Sequence, residues 1–287
     1  MSILLTNKQN EFRSKFNKTR FLFDHTLHLN PILDLDNIIA LAKRAPKYFH
    51  ASVSNSKADD GWQPARALRL PIAETIQAME TMNAVVVLKD VHLDKEFGRV
   101  LEAAQADIIE QAGDQLRSEL IYARSTILVN SPHRITAYHI DAECNYLLQV
   151  RGQKFVSVFD QDDRTILSDA EIEAFYCGHM GSARYRPERE KDAMVFDLTP
   201  GKGVHIPIDA PHWVKNGGSI SVSVSTNFEL RGNENRRSIH IVNQRLRRLG
   251  LKPHAPGVSP ASDRLKLAIA SGYKAIRRVK NYKHLFG

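Results

Sequence analysis

The sequence has very little cysteine and no long apolar run. Its 287 residues include two cysteines, Cys144 and Cys177, which do not form a C-x-x-C motif. They exclude a disulfide-stapled scaffold and fit a reducing compartment. The longest apolar stretches, such as residues 84–88, have five residues, whereas a membrane span needs about 20. No basic segment followed by an apolar one opens the sequence, so we expect a cytoplasmic protein with no membrane partner.

Repeats and low-complexity tracts are also missing, and the bulk composition is that of a globular protein. Apolar residues make up 43% of the chain and charged residues 25%, with 15 Gly and 12 Pro. These proportions exclude a disordered chain and a collagen-like repeat. A chain of this length can bury a sizeable hydrophobic core, so compactly folded domains are expected.

Acidic residues are scarce at the C-terminal end. Residues 231–287 carry 14 Lys and Arg against two acids, a net charge of +12, whereas residues 1–230 carry a net charge of −4. Such asymmetry usually indicates an interaction surface. The basic tail can pack on the rest of the chain, pair with a second subunit to form a homodimer, or contact RNA, DNA or an acidic protein. We expect packing or dimerisation first and nucleic acid second, because a run of charges is most often a solvated face.

The apolar pattern divides the chain into three regions. Residues 1–120 have mainly helical spacing and predict a helical preface, with one strand at residues 84–90 and a surface loop at residues 49–66. Residues 121–230 change to a spacing of two and predict a β core of jelly-roll or sandwich type. Residues 231–287 return to helical spacing and predict basic C-terminal helices. The expected fold class is mainly β with helical flanks, the preface packing on a barrel.

The sharpest local motif is His139-Ile140-Asp141, which lies in a predicted strand. Residues two apart in a strand point to the same face, so the imidazole and the carboxylate project side by side, about 6–7 Å apart at the backbone. His212 lies between two predicted strands and can supply a third ligand. Two histidines and one carboxylate on one face, with the opposite positions open, are typical of non-haem Fe(II) oxygenases. The motif alone is weak evidence, since an isolated histidine is more often structural.

Other residues compete for the same role. His133, His179, His205 and His240 are candidate ligands, although each is more often a surface or core residue. Cys144 is interpreted as a small buried residue, because an Fe(II) site of this type needs no thiolate. These alternatives stay open at the level of the sequence.

The surrounding spacing resembles that of a known enzyme family. A Thr lies three residues before His139, an Asn six after it and a Lys fifteen after it, and a second Asn lies fifteen after His212. Together with the three candidate ligands, these positions resemble the JmjC-type, cupin-like 2-oxoglutarate oxygenases. Within that family the resemblance is to the asparaginyl hydroxylase that acts on the hypoxia-inducible factor and to its bacterial relatives. It covers the predicted β core well and the two flanks in outline.

The resemblance implies a double-stranded β-helix in which His139, Asp141 and His212 bind Fe(II). It implies 2-oxoglutarate as cosubstrate and dioxygen as oxidant, and hence a dioxygenase that hydroxylates an unreactive C–H bond. The favoured substrate is a protein or peptide side chain. The alternatives are a small-molecule or tRNA hydroxylase, or a cupin-like regulator that has lost turnover and binds nucleic acid through its basic tail.

Four further residues are implied as cosubstrate ligands. Lys154 would neutralise the distal carboxylate of 2-oxoglutarate, where an unpaired charge is expensive, and Thr136 would donate to the same carboxylate. Asn145 and Asn227 would bind near its chelating end. Without the resemblance, a lysine that follows a turn, as Lys154 does, is more often exposed to solvent than a ligand-binding residue. The serines that alternate over residues 221–225 fit the wall of a barrel and a solvent-exposed strand face equally well.

Overall fold

The computed structural model describes residues 3, 9–45, 47, 49–53, 57–60, 66–67, 70–89 and 91–285. Its α-helices, in chain order, are α1 (Gln9–Lys15), α2 (Leu35–Arg44), α3 (Ile72–Gln77), α4 (Lys95–Ala112), α5 (Asp114–Glu119), α6 (Asp169–Tyr176), α7 (Arg231–Arg248) and α8 (Pro260–Leu285). Its β-strands are β1 (Phe21–Asp24), β2 (Phe49–Val53), β3 (Arg66–Ala67), β4 (Ala84–Leu88), β5 (Leu120–Asn130), β6 (Ile135–His139), β7 (Cys144–Arg151), β8 (Lys154–Val158), β9 (Met194–Leu198), β10 (Lys202–Ile206), β11 (His212–Asn216) and β12 (Ser221–Leu230). Within these ranges no helix is both long and apolar enough to cross a membrane.

The strands form two antiparallel sheets that face each other. Among the described residues, the larger sheet has eight strands in the order β1-β10-β7-β12-β5-β4-β2-β3, and the smaller has four in the order β6-β11-β8-β9. Leu147 and Val204 of the larger sheet belong to one buried cluster with Val156 and Leu198 of the smaller sheet. The two sheets are therefore the walls of a jelly-roll barrel. The predicted mainly β fold with helical flanks is confirmed.

Side chains alternate between the barrel interior and the outer face of the larger sheet. On β12, Val222 and Val224 are buried in one outer cluster with Phe97 and Leu101 of α4. The intervening serines of residues 221–225 lie on the opposite, interior face, where Ser221 and Ser223 are fully buried. They therefore line a barrel wall and do not form a solvated face.

The region before residue 120 contains strands as well as helices. β1 pairs with β10 and β4 pairs with β5, so both belong to the larger sheet. The strand β4 was expected, but β1, β2 and β3 were not. β2 pairs with β4 and occupies the start of the segment predicted as a surface loop, so that prediction was wrong for residues 49–53. Residues 54–56 and 61–65 of the predicted loop lie outside the described residues.

The first C-terminal helix, α7, packs on α6. Ser168 caps α6, and its hydroxyl and backbone exchange hydrogen bonds with Glu171 in a capping box. Helix α7 packs between α6 and α8. Arg247 of α7 donates to the fully buried carboxylate of Glu173 on α6 through two hydrogen bonds of 2.7 and 2.9 Å. At least part of the basic tail therefore packs on the body of the chain.

Candidate metal and cosubstrate site

The three predicted metal ligands meet where β6 ends and β11 begins. His139 is the last residue of β6 and His212 the first of β11, and they are opposite each other in the antiparallel pair. Their ring centroids are 4.1 Å apart. Asp141 Oδ2 lies 3.9 Å from His139 Nε2 and 3.7 Å from His212 Nε2. One donor atom from each side chain thus lies within 4.8 Å of the other two.

Backbone hydrogen bonds set the tautomer of both histidines. His139 Nδ1 lies 2.8 Å from the Ala137 carbonyl, and His212 Nδ1 lies 2.9 Å from the Ala210 carbonyl. A carbonyl can only accept, so each Nδ1 carries the hydrogen and each Nε2 presents a lone pair toward Asp141. Burial, and then the neighbouring His139, lower the pKa of His212. His212 is therefore neutral at pH 7, the form that binds a metal.

The donor set suits Fe(II). Two imidazole nitrogens and one carboxylate oxygen are the facial triad of non-haem iron sites, and they leave further coordination positions open. The His212 side chain is almost fully buried, whereas 43% of the Asp141 side chain is exposed. The cluster is therefore open to solvent on the Asp141 side, and a cation and its further ligands would enter from there.

Two buried cations lie in the same sheet, at the end of β11 away from His212. Lys154 begins β8 opposite Asn216 of β11, and Asn216 Nδ2 donates to the Arg134 carbonyl at 3.0 Å. Arg134 and Lys154 therefore flank Asn216, which is four residues along β11 from His212, a rise of about 13 Å. Thr136 lies on β6, between Arg134 and His139 along the chain. Its Oγ1 accepts a 3.2 Å hydrogen bond from Arg134 Nη1.

The Lys154 ammonium has no carboxylate partner among the described residues. The side chain is only 2% exposed. Burial, and then the charge of Arg134, lower the pKa of Lys154 to about 7, and burial lowers the pKa of Arg134 to about 10. An ammonium buried without a counterion is costly. This end of the barrel therefore fits the carboxylate of a bound ligand.

Arg134 was not among the residues predicted from the sequence. It lies two residues before Thr136, on the same face of the chain as it enters β6. That spacing is the one signal in the sequence that could have found it. Its burial and its charge become informative only in the barrel, where Arg134 and Lys154 lie on either side of β11 and the charge of Arg134 lowers the pKa of Lys154.

The two predicted asparagines form a separate cluster on the larger sheet. Asn145 of β7 is opposite Asn227 of β12, and Asn145 Nδ2 donates to Asn227 Oδ1 in a short hydrogen bond. Asn145 Nδ2 also lies 2.6 Å from Ser225 Oγ. Within the described part of the chain, their side-chain hydrogen bonds join them to each other and to Ser225, and not to the three candidate ligands or to Lys154.

The competing histidines lie away from the candidate metal ligands. His205 Nδ1 donates to the Asn145 carbonyl, and its Nε2 accepts from the Asn17 N–H, both at 3.0 Å. Burial lowers the pKa of His205 to about 3. Since both of its nitrogens are used, His205 is a core residue. His240 is buried in α7, where it stacks on Tyr176 with 5.3 Å between ring centroids.

Comparison with known proteins gives a match in fold. No family model matches the sequence, and no curated protein matches it. The structure of YcfD, a ribosomal oxygenase from Escherichia coli, in complex with cobalt and 2-oxoglutarate has a TM-score of 0.55 and 14% identity, over 100% of this chain and 71% of that chain. The complex with cobalt and succinic acid has a TM-score of 0.54 and 15% identity over the same shares. Another YcfD structure has a TM-score of 0.53 and 15% identity, over 94% of this chain and 67% of that chain.

This chain has the fold of YcfD. At such low identity the likeness establishes the fold alone, and the double-stranded β-helix implied by the family resemblance is confirmed by it. Two of these YcfD structures are complexes with cobalt, one with 2-oxoglutarate and one with succinic acid.

Proposed function

We propose that this chain is an Fe(II)- and 2-oxoglutarate-dependent dioxygenase that hydroxylates an unreactive C–H bond. One observation carries the proposal: the cluster of two histidines and one carboxylate lies in the same four-stranded sheet as Lys154, with His212 on β11 and Lys154 on the neighbouring β8. The Lys154 ammonium is buried and has no carboxylate partner among the described residues. 2-Oxoglutarate has the complementary chemistry, because one end chelates a metal and the other is a carboxylate. The cobalt and 2-oxoglutarate bound to YcfD, which has the same fold, support the same class.

The metal would be held by His139, Asp141 and His212. Both imidazoles already present Nε2 toward the Asp141 carboxylate, because their Nδ1 atoms are bound to backbone carbonyls. The ligands therefore need little rearrangement to bind a cation. When bound, Fe(II) and 2-oxoglutarate supply the activation of dioxygen and the oxidation of the C–H bond, with 2-oxoglutarate leaving as succinate and carbon dioxide.

The cosubstrate would be held by residues of both sheets. Lys154 would donate a charge-assisted hydrogen bond to the distal carboxylate. Thr136 Oγ1 accepts from Arg134, so its own hydroxyl hydrogen is directed elsewhere and can reach the same carboxylate. Asn145 and Asn227 would offer amide donors and acceptors at the chelating end.

Succinate release from 2-oxoglutarate in air tests this proposal. We expect succinate to form only when Fe(II) is present, and His212→Ala to abolish it, because the variant removes one metal ligand. The exposed His179 lies outside the cluster, so His179→Ala should retain wild-type release. Wild-type protein that neither binds 2-oxoglutarate nor forms succinate would contradict the proposal and favour the non-catalytic regulator.

We further propose that the substrate is a protein or peptide side chain. The support is the fold of YcfD, which is a ribosomal oxygenase, and the exposure of the Asp141 side of the cluster. Incubation with protein, small-molecule and tRNA pools, followed by mass spectrometry, tests the class. We expect a gain of one oxygen atom in protein that depends on 2-oxoglutarate and is absent with His212→Ala. A gain confined to small molecules or tRNA would instead assign one of the alternatives.

We propose that the C-terminal helices pair two copies of the chain. Leu265 and Ile269, four residues apart on α8, are 64% and 49% exposed, and Leu249 at the end of α7 is 77% exposed. Apolar surface of this kind, repeated on each copy, suits a self-complementary interface. Light scattering should give twice the chain mass of 32.4 kDa, and Leu265→Glu should give a monomer. A wild-type monomer that is retained on heparin in a salt-dependent way would favour nucleic acid as the partner of the tail.

We propose a cytoplasmic location. Cys144 is buried and Cys177 half-buried, and both are free thiols. Two thiols of this kind fit a reducing compartment. Cell fractionation should recover the protein with cytoplasmic markers, and recovery with an oxidising compartment would contradict this assignment.

A further inference from the structure

A buried hydrogen-bond network joins the loop that carries Asp141 to helix α7. Two donors bind the backbone of this loop. The Asp209 N–H donates to the Asp141 carbonyl at 3.0 Å, and Asn233 Nδ2 donates to the Ala142 carbonyl in a short hydrogen bond. Asn233 is buried in the first turn of α7. A residue of the C-terminal region therefore holds the backbone directly next to a candidate metal ligand.

Tyr176 and Asp209 complete the network. The Tyr176 hydroxyl donates to Asp209 Oδ1 at 2.8 Å and lies 3.3 Å from Asn233 Oδ1. Arg236 Nη2 lies 3.2 Å from Asp209 Oδ2. Asp209 has a φ of 60°, in the left-handed region that non-glycine residues enter at a cost. The contacts of its side chain offset that cost and hold the N–H of Asp209 against the Asp141 carbonyl.

The Asp141 carboxylate has no such support of its own. It accepts no hydrogen bond from any residue that the structure describes, and its nearest polar contacts are the two histidines. His139 and His212, in contrast, are each fixed through Nδ1. The direction of the Asp141 side chain therefore depends on the backbone of residues 141 and 142, which the network holds.

We propose that Asn233 and Tyr176 are positioning residues for Asp141, which makes helix α7 part of the metal site. The inference rests on the proposed function, because it concerns the metal that this function requires. A residue that holds a metal ligand in place changes metal affinity by about 10- to 100-fold. A role in packing alone would lower stability and leave the metal affinity of the folded protein unchanged.

Co(II) binding by the full chain separates the two roles. Affinity and the d–d absorption spectrum of Co(II) would be measured for wild type, Asn233→Ala and Tyr176→Phe, with thermal unfolding of each metal-free protein. Asn243→Ala is the matched control, because Asn243 is fully buried on the same helix and its Nδ2 donates to the His254 carbonyl, at 2.9 Å, instead of the metal-ligand loop. We expect Asn233→Ala to weaken Co(II) binding by about tenfold or more and to alter the spectrum. Tyr176→Phe should act in the same direction to a smaller extent, and Asn243→Ala should keep wild-type affinity while unfolding at a lower temperature.

Wild-type Co(II) affinity in Asn233→Ala would overturn the inference, and so would equal losses of affinity in Asn233→Ala and Asn243→Ala. If Asn233→Ala does not fold, Tyr176→Phe decides, because it removes one hydroxyl and keeps the ring that stacks on His240. An unchanged affinity and spectrum in Tyr176→Phe would then overturn the inference. Wild-type protein that binds no Co(II) would contradict the proposed metal site itself, a failure visible before any variant is compared.

Discussion

At the scale of single residues, Lys154 is the main support for 2-oxoglutarate as the proposed cosubstrate. It is buried without a carboxylate partner in the described part of the chain, so the metal-free protein tolerates its charge at a cost. Lys154→Met removes that cost and the anion-binding charge together. We expect this variant to unfold at a higher temperature than wild type. In the presence of Co(II), its affinity for 2-oxoglutarate should fall by at least about tenfold, since a hydrogen bond to a charged group contributes about 1.5–3 kcal/mol.

The matched control for this change is Lys215→Met. Lys215 is exposed on β11, one residue from Asn216, which is opposite Lys154. Calorimetry should find its affinity for 2-oxoglutarate close to that of wild type. If Lys154→Met bound 2-oxoglutarate as tightly as Lys215→Met, the distal carboxylate would not lie where we place it.

The sequence predicted the three ligands, although Asp141 lies in the loop just after β6 and not in the predicted strand. It missed the helix residues that contact this loop. His139 and Asp141 follow a spacing of two, and His212 lies at the start of the strand that pairs with β6. The structure brings these three together. Asn233 and Tyr176 carry no such pattern, because their contacts with the ligand loop depend on how α6 and α7 dock on the barrel.

At the scale of elements, the docking of α7 on α6 depends on the pair formed by Arg247 and Glu173. The Glu173 carboxylate is fully buried and Arg247 is partly exposed. Removing the arginine leaves a buried carboxylate without its partner. We expect Arg247→Ala to lower the free energy of unfolding by about 2–4 kcal/mol, somewhat below the range for a fully buried pair because Arg247 is partly exposed. Urea unfolding at pH 7 measures this change.

Arg248→Ala is the control for the same helix end. Arg248 is exposed next to Arg247, and a surface substitution of this kind changes stability by about 0.5 kcal/mol or less. Equal stability of the two variants would show that the ion pair does not stabilise the docking of α7 on α6.

The elements that the sequence predicted best are those with a long, regular pattern. Most core strands after residue 120 were predicted from runs of five or more residues, and the helices α4 and α7 each have 18 residues. The exception is β11, which was not predicted: His212 was expected between two strands, whereas it begins β11. β1 and β3 have four and two residues. Strands this short are stabilised by the sheet they join, β1 by β10 and β3 by β2, so their own sequences carry little signal.

At the scale of the whole molecule, buried histidines make stability depend on pH. Burial lowers the pKa of His205 and of His240 to about 3, against about 6.5 in the unfolded chain. Between pH 6.5 and about 4, the unfolded chain binds protons that the folded chain does not. Each neutral, buried histidine therefore contributes fully to the free energy of unfolding above pH 6.5. On acidification this contribution is lost, at about 1.4 kcal/mol per pH unit.

His240→Leu tests this dependence. Since the variant lacks one buried histidine, its free energy of unfolding should fall less steeply between pH 6.5 and 4.5 than that of wild type, by about 1.4 kcal/mol per pH unit. The exposed His179 provides the control, and His179→Leu should keep the wild-type slope. Identical slopes for wild type and His240→Leu would contradict a neutral, buried His240.

Part of the basic charge of the C-terminal tail is balanced by acidic residues of the same chain. The net charge of +8 combines an acidic body with a basic tail. Arg236 and Arg247 of the tail contact the buried carboxylates of Asp209 and Glu173 in the body. These two arginines therefore complement acids within the same chain, and the basic composition by itself does not indicate a nucleic-acid surface.

The proposed function requires one barrel to bind Fe(II) and 2-oxoglutarate at the same time. The most direct test is an anaerobic titration of the full chain with Fe(II) and 2-oxoglutarate, followed by visible absorption. We predict a metal-to-ligand charge-transfer band that requires both components and is lost in Asp141→Ala, with the folded state of the variant checked by circular dichroism. A wild-type protein that gives no band, or an Asp141→Ala variant that gives the wild-type band, would contradict the account.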